Sequence, residues 1–412
     1  MFKKILGTKD ILPEEAACWQ TAEARARRIF SLYNYQEIRT PIIEEAALFN
    51  RTLGSTTEII QKQMFLIQNQ ENTYALRPEG TASIVRSYLE NNLERTEGFM
   101  KLYYMGPMFR LERPQKGRLR QFHHIGAEAI GSNLASLDIE TISLAEHLLK
   151  SFGIAGFQIK INSLGCSNDK QALSSILKDK LQGELTHLCS DCQLRAKHNV
   201  FRVLDCKNES CQQIIKTFKL KHDHLCLDCQ VHFEEVKQGL TALGVLFKVD
   251  PQLVRGLDYY NRTVFEITHK DLGSQDALGA GGRYNNLIKE LGGPDLGAIG
   301  FAFGVERLLL VPHTLKQIPS KKLAYLITLG DAAKSAGLKI LNQLRSAEIP
   351  VETDYLNRSL KSAMRAANDA GATFVLILGD DELRENIISI KDMAAGTQRQ
   401  VAIQNLIEEL KC

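Results

Sequence analysis

The stretch Met108-Phe109-Arg110-Leu111-Glu112-Arg113-Pro114-Gln115-Lys116-Gly117-Arg118-Leu119-Arg120 interleaves cations with turn-forming residues. Strand-like runs flank it, from Lys101 to Arg110 and from Gln121 to Ile130, while Pro114 and Gly117 mark Arg113 to Arg120 as a loop. The pattern predicts an antiparallel hairpin with a long basic tip. A guanidinium forks two hydrogen bonds onto a phosphate and stays charged at any working pH. Glu112 is out of place in a purely anion-binding patch, but a carboxylate there can accept a hydrogen bond from an exocyclic amine such as that of adenine. Phe122, just beyond, offers a ring for a base to stack on. The plainer alternative is a solvated, charged hairpin tip.

Outward from the hairpin, the nucleotide motifs that would compete with it are missing. There is no Walker lysine motif and no G-x-G-x-x-G following a strand, so a bound nucleotide must be held by other means, and arginine is what this chain offers. A second cluster is Leu253-Val254-Arg255-Gly256-Leu257-Asp258-Tyr259-Tyr260-Asn261-Arg262-Thr263, inside a strand signal from Leu253 to Ile267. Adjacent tyrosines in a strand point to opposite faces, so one is expected in the core and the other in a cleft. Glycines at 279, 281 and 282 precede Arg283-Tyr284 and permit either close approach to a ligand or a tight turn. A third cluster, Gly300-Phe301-Ala302-Phe303-Gly304-Val305-Glu306-Arg307, places Arg307 at a helix start, where a cation is unfavourable unless an anion compensates.

The organisation of the chain follows from periodicity. A helix is expected from about Pro13 to Leu32, with Trp19, Ala22, Ile29, Phe30 and Tyr33 at helical spacing, then a strand over Gln36 to Arg39 stopped by Pro41. A further helix begins after Arg77-Pro78-Glu79-Gly80-Thr81 and carries Ile84, Val85 and Leu89 on one face. From Cys166 to Gly244 the sequence is polar, cysteine-rich and helical, and reads as an inserted domain. The last ninety or so residues alternate strands (Leu323 to Leu329, near Val351, Phe374 to Leu378) with two amphipathic helices, a small sheet covered by helices. The boundary is expected near Pro312 to Lys322.

The 412-residue chain is 44% hydrophobic and 24% charged with a net charge of +3, a folded protein of two or three domains and only mildly basic. No long apolar run follows Lys3 and Lys4, so no signal peptide is expected; nor does any segment approach the roughly 20 apolar residues that span a bilayer. The cytosol is the expected compartment, where nine cysteines are not read as disulfides. Cys189, Cys192, Cys206, Cys211, Cys226 and Cys229 crowd into the insertion. Free thiols are the favoured reading and zinc the alternative, since six candidates for four places define no unique ligand set.

Taken together, Arg77-Pro78-Glu79-Gly80-Thr81, the Phe-Arg-x-Glu hairpin, Arg-Gly-Leu-Asp-Tyr-Tyr and Gly-Phe-Ala-x-Gly-x-Glu-Arg resemble bacterial histidyl-tRNA synthetases, class II aminoacyl-tRNA synthetases. The resemblance starts at Gly7-Thr8-Lys9-Asp10 and reaches the C-terminus. It implies an α+β fold: an antiparallel catalytic core of six or seven strands over 1–320, a helical insertion over about 167–245, and an α/β anticodon-binding domain over 321–412. It implies activation of L-histidine with ATP and its transfer to tRNA(His), by a homodimer, with Mg2+ accompanying ATP.

Carried over by motif, Arg110 would hold the α-phosphate and the histidine carboxylate, and Arg255 would stand by the α-phosphate where related synthetases place a metal. Glu112 would read adenine, Phe122 and Arg307 would sandwich its ring, and Arg118 would reach the γ-phosphate. Glu79, Gly80 and Thr81 would bind the α-amino group. Glu128 and Tyr260 would grip the imidazole nitrogens, with Tyr259 shaping the pocket. His124 stands where the family usually has glutamine, beside the amino group, and Asn285 where it often has aspartate. Rival readings are a histidine-binding regulatory relative, a class II synthetase for glycine, proline or threonine, and a pure RNA-binding module. Arg255 and the full α/β tail argue against the first, and Arg-Gly-Leu-Asp-Tyr-Tyr against the second.

Overall fold

The computed structural model describes residues 2–54, 57–96, 98–273, 275–315 and 322–411. The chain forms two compact units, Met1–Ile318 and Pro319–Cys412. The centre of the expected linker, at 316–321, lies outside the described residues, as does position 274.

The first unit is built on an eight-stranded sheet. Its order from edge to edge is Gln36–Glu37, Met100–Phe109, Gln121–Ile130, Ala298–Gly304, Ala277–Arg283, Asn261–His269, Phe157–Ser163 and Phe247–Val249. The six inner strands pair antiparallel, as expected. The two edge strands are short and pair parallel, which takes the sheet beyond the six or seven strands expected. Parallel neighbours need a long crossover, and both edges have one: the small three-stranded sheet and its helices on one side, the insertion on the other. The strand expected over Gln36 to Arg39 shrinks to Gln36–Glu37, with both residues exposed.

The basic hairpin forms as predicted. Met100–Phe109 and Gln121–Ile130 pair without a register shift from Met100 opposite Ile130 to Phe109 opposite Gln121. The period of two then sorts the second strand. Ile125, Ala127 and Ala129 enter the core shared with Trp19, Ala22, Ala26 and Phe30 of helix Pro13–Leu32 and with Leu144, Ala145 and Leu148 of helix Ala135–Ser151. Phe122, His124 and Glu128 face the other way.

The insertion is helical, with Ser167–Leu181, Ser190–His198, Phe201–Leu204, Glu209–Thr217 and Leu227–Ala242. Leu173, Leu177, Leu188, Val203, Ile215 and Phe218 pack with Cys192, Cys206 and Cys211 into a core of its own. The second unit carries a five-stranded sheet in the order Val351–Thr353, Ala324–Thr328, Phe374–Leu378, Ile387–Asp392 and Gln398–Ala402. The first three strands are parallel, as alternating β and α segments require. The last two form an antiparallel hairpin that the sequence reading did not foresee. Separate cores line its two faces.

Candidate active site

A cavity of about 670 Å³ opens on the face of the large sheet opposite the helices Pro13–Leu32 and Ala135–Ser151, within the size range of cofactor and substrate sites. Its wall includes Glu79, Gly80, Thr81, Arg110, Glu112, Arg118, Phe122, His124, Arg255, Tyr259, Tyr260 and Arg307. Residues from four separate stretches of sequence thus meet in one place. Glu128 is the exception among the expected site residues: it is almost fully buried beneath the wall rather than in it.

One end of the cavity gathers hydroxyl and carboxyl groups. Glu79 begins it by turning back on helix Thr81–Glu90, its carboxylate accepting from the backbone N–H of Thr81 at 2.7 Å and of Ala82 at 2.8 Å. That is the stabilising position for an anion at a helix N-terminus. Burial nonetheless pushes its carboxyl above the usual range, against those donors. Beneath it, Glu128 accepts from the Thr81 hydroxyl at 2.7 Å and from the Tyr284 hydroxyl at 2.7 Å. Burial raises the Glu128 carboxyl to about 8, only partly opposed by those two hydroxyls. Two glycines make room. A Cβ at Gly80 would stand 2.4 Å from the Tyr104 ring, and one at Gly300 would stand 1.7 Å from Glu128 Oε2.

Tyr259 and Tyr260 are both buried in one core cluster and both line the cavity, which corrects the expectation that the pair would divide between core and cleft. The alternation argument fails because they sit in the turn before strand Asn261–His269, not in the strand itself. Their rings tilt against each other at 4.6 Å, and burial raises the Tyr260 phenol to about 12. His124 also lines the cavity, 5.2 Å from the Phe122 ring. Burial, with Arg110 and Arg77 nearby, drives its imidazole down to about 3, so it is neutral at any working pH.

The other end is cationic. Arg110 donates Nε–H to the Pro78 carbonyl at 2.9 Å and lies over the Phe122 ring at 5.3 Å. Glu112, itself buried, pairs with Arg118, while Arg110 Nη1 lies 3.8 Å from its other oxygen. Arg307 is held by the carbonyls of Gly117 at 2.9 Å and Ala277 at 2.7 Å. Arg255 pairs with Glu266 at 2.6 Å. Burial opposes the charge on Arg255, but Glu266, Tyr260 and Asp205 together outweigh it and hold the guanidinium above its ordinary pKa. Fixed guanidinium groups around a cavity that also offers a stacking ring and a buried carboxylate suit a purine nucleotide.

The amino-acid sequence is matched over residues 7–308 by the family model of histidyl-tRNA synthetase and over 324–412 by that of an anticodon binding domain. The chain belongs to the histidyl-tRNA synthetase family. The histidine–tRNA ligase of Halothermothrix orenii is 46% identical to it over 409 residues, covering 98% of both chains. That of Desulforamulus reducens is 44% identical over 409 residues, again 98% of both. Among solved structures, apo S. aureus histidyl-tRNA synthetase matches with a TM-score of 0.82 at 35% identity, covering 100% of each chain.

Within this histidyl-tRNA synthetase fold, several cavity residues were not singled out from the sequence. Tyr104 and Glu266 line the wall; Tyr284, noted in the sequence only beside the glycines, lies beneath it and holds Glu128. Glu266 did leave a signal, as the lone charge inside the apolar run Val264-Phe265-Glu266-Ile267. The insertion supplies Arg195, Arg202 and Asp205, which no motif marks. Arg283, by contrast, turns away from the cavity. It is fully buried, pairs with the equally buried Asp138 at 2.6 Å, and donates to the carbonyls of Ser132 at 2.8 Å and Leu134 at 2.7 Å. Asn285 supports the same corner, accepting from the Ala298 N–H at 3.1 Å and donating to Asn133 at 2.9 Å.

Proposed function

We propose that this protein activates L-histidine with ATP to histidyl-adenylate and transfers the histidyl group to the 3′ end of tRNA(His). The observation that carries this reading is a single cavity whose one end collects Arg110, Arg118, Arg255 and Arg307 and whose other end collects Glu79, Thr81, Tyr259 and Tyr260 over a buried Glu128. In the first step a carboxylate oxygen of histidine attacks the α-phosphorus of ATP, and pyrophosphate leaves with the electron pair of the broken P–O bond. The carboxylate is already ionised at neutral pH, so the chain needs no general base. Its work is alignment and neutralisation of charge on a pentacoordinate phosphorus.

Arg110 takes the histidine carboxylate and the α-phosphate together, and Arg255 neutralises the α-phosphate from the other side. Arg118 reaches the γ-phosphate, Glu112 accepts from the adenine amine, and Phe122 and Arg307 sandwich the ring. Glu79, Gly80, Thr81 and the neutral His124 receive the α-amino group. A neutral imidazole has one donor and one acceptor, which Glu128 and Tyr260 satisfy, the imidazole replacing the Thr81 hydroxyl on Glu128. A site built on such buried polar groups rejects side chains that leave them unpaired, often by about four orders of magnitude.

Magnesium enters with ATP. Two of the cavity's carboxylates, Glu112 and Glu266, are paired with Arg118 and Arg255, so the chain meets the phosphates with arginine rather than a carboxylate cage. We also infer a homodimer acting in the cytoplasm. Ile42, Ile43, Leu66 and Ile67 are apolar side chains left exposed on and beside the three-stranded sheet, an unusual outlay for a solitary surface. Among the described residues no helix is long and apolar enough to cross a membrane. The test is aminoacylation of individually purified tRNAs: histidine on tRNA(His) alone is expected, and charging with any other amino acid contradicts the reading.

A further inference from the structure

The cysteines of the insertion do not compete for one set of four places. They fall into two groups, and Cys166, which the sequence reading left out, belongs to one of them. Cys189, Cys192, Cys206 and Cys211 bring their sulfurs to within 4.8 Å of one another. The second group is Cys166, Asp169, Cys226 and Cys229.

In the first group the Sγ atoms of Cys189 and Cys206 are 3.9 Å apart. That is far from the ~2.0 Å of a disulfide. It is close to the edge of a tetrahedron, since four sulfurs each ~2.3 Å from a central cation lie about 3.8 Å from one another. Backbone N–H groups point at two of the sulfurs: Cys189 donates to Cys211 Sγ at 3.2 Å and Asn208 donates to Cys206 Sγ at 3.4 Å. Such donors suit thiolates, because a neutral thiol is a weak acceptor. Cys192, Cys206 and Cys211 are buried and Cys189 is half-buried. Local structure explains the convergence. Cys189 is the N-cap of helix Ser190–His198 with Cys192 one turn in, and Cys211 lies in the first turn of helix Glu209–Thr217, so two helix N-termini favour negative charge on sulfur.

The second group does not need a cation. Asp169 already accepts from the backbone N–H of Cys166 at 3.1 Å and of Cys226 at 2.9 Å, which engages both its oxygens at the starts of two helices. It works as a shared cap.

We propose that Cys189, Cys192, Cys206 and Cys211 form a tetrathiolate site for one soft divalent cation, zinc being the ion whose geometry fits. All four positions are filled by protein, so the site is structural and has no opening for a reactive water. Its place gives it a purpose. Cys189 and Cys206, together with Asp191, Arg195, Asp205 and Lys207, form part of the cavity wall, and Arg195 is tied to Glu58, another residue of that wall, at 2.6 Å. The cation fixes the face of the insertion that closes the substrate site. This holds whether or not histidine is the substrate.

The test is elemental analysis of the full chain, purified without chelator or polyhistidine tag. About one zinc per chain is expected. Cys192→Ser and Cys211→Ser should each lose it, while Cys229→Ser keeps it. Because the serine variants can misfold, the wild type is also stripped and refilled with cobalt(II). Intense sulfur-to-cobalt charge-transfer bands and visible bands of a tetrahedral thiolate site are expected, as is a melting temperature that falls on stripping and returns on refilling. No transition metal in the purified protein together with no thiolate spectrum on adding cobalt overturns the proposal. So does full zinc retention in Cys192→Ser, or metal loss confined to Cys229→Ser.

Discussion

Arg255 Nη1 lies 2.6 Å from Glu266 Oε2 on the wall of the cavity that also contains Arg110 and Arg118. The pair fixes a guanidinium that would otherwise swing on a long side chain, and its charge is held by the carboxylate rather than discharged by burial. Arg255→Ala should therefore lower histidine-dependent ATP–pyrophosphate exchange by about two to three orders of magnitude, the usual cost of losing one preorganised charge stabiliser. Glu266→Gln keeps the cation but loosens its aim, and should lower kcat by about tenfold with little change in the KM for histidine. Steady-state exchange kinetics separate the two; equal losses in both variants would count against a positioning role for Glu266.

Glu128 offers a pH-dependent test. Its carboxyl is raised from the ordinary 4.5 to about 8 in the folded chain, so between those values the folded protein holds a proton that the unfolded chain has released. Stability from this group is present at low pH and falls as pH rises through that window. Glu128→Gln cannot lose a proton, so relative to the wild type it should gain stability on going from about pH 5 to about pH 9. Urea midpoints of both proteins at the two values measure this, and a constant difference would refute it. The same variant should raise the KM for histidine.

How far the sequence exposed this site depends on which physical signal each part carries. The hairpin was legible because charge, proline and glycine interrupt two clean strand runs, and the helix Pro13–Leu32 because its apolar residues keep a helical period. The cavity positions came largely from family resemblance, since spacing alone does not say which distant arginines will meet. Tyr259 and Tyr260 do not divide between core and cleft because they lie in a turn, and a turn and a strand share the same residue types until the backbone is seen. The insertion's part in the wall left no trace in any motif, because Arg195, Arg202 and Asp205 acquire it only through tertiary packing. Cysteine spacing could not divide Cys189 and Cys211 from Cys226 and Cys229, which only proximity does.

Arg283 and Asp138 make a structural prediction. Both are fully buried, and burial raises the Asp138 carboxyl to about 6 even with the Arg283 cation beside it. Removing one partner leaves the other charged and unpaired in the core, at a cost of about 3–5 kcal/mol. Arg283→Met should lower the unfolding free energy of the first unit by that order, read from denaturant melts. A loss below about 1 kcal/mol would show that the pair is not the clamp described.

Arg113 and Lys116 stand exposed at the hairpin tip, whereas Arg120 is half-buried, its Nε donating to the Glu112 carbonyl at 3.4 Å. We propose that the exposed pair meets phosphates of the tRNA acceptor end. Arg113→Ala and Lys116→Ala should each raise the KM for tRNA several-fold, more weakly at high salt, while leaving pyrophosphate exchange unchanged. Arg120→Ala should disturb both reactions because it props the hairpin. Equal loss of exchange and charging in Arg113→Ala would remove the hairpin tip from tRNA binding.

We propose that the polar end of this cavity selects histidine for adenylation. This is tested most directly by ATP–pyrophosphate exchange on the purified full chain with each of the twenty amino acids supplied singly. Exchange with histidine and background rates with the rest are expected. Exchange driven by another amino acid, or none with histidine despite measurable histidine binding, would contradict it.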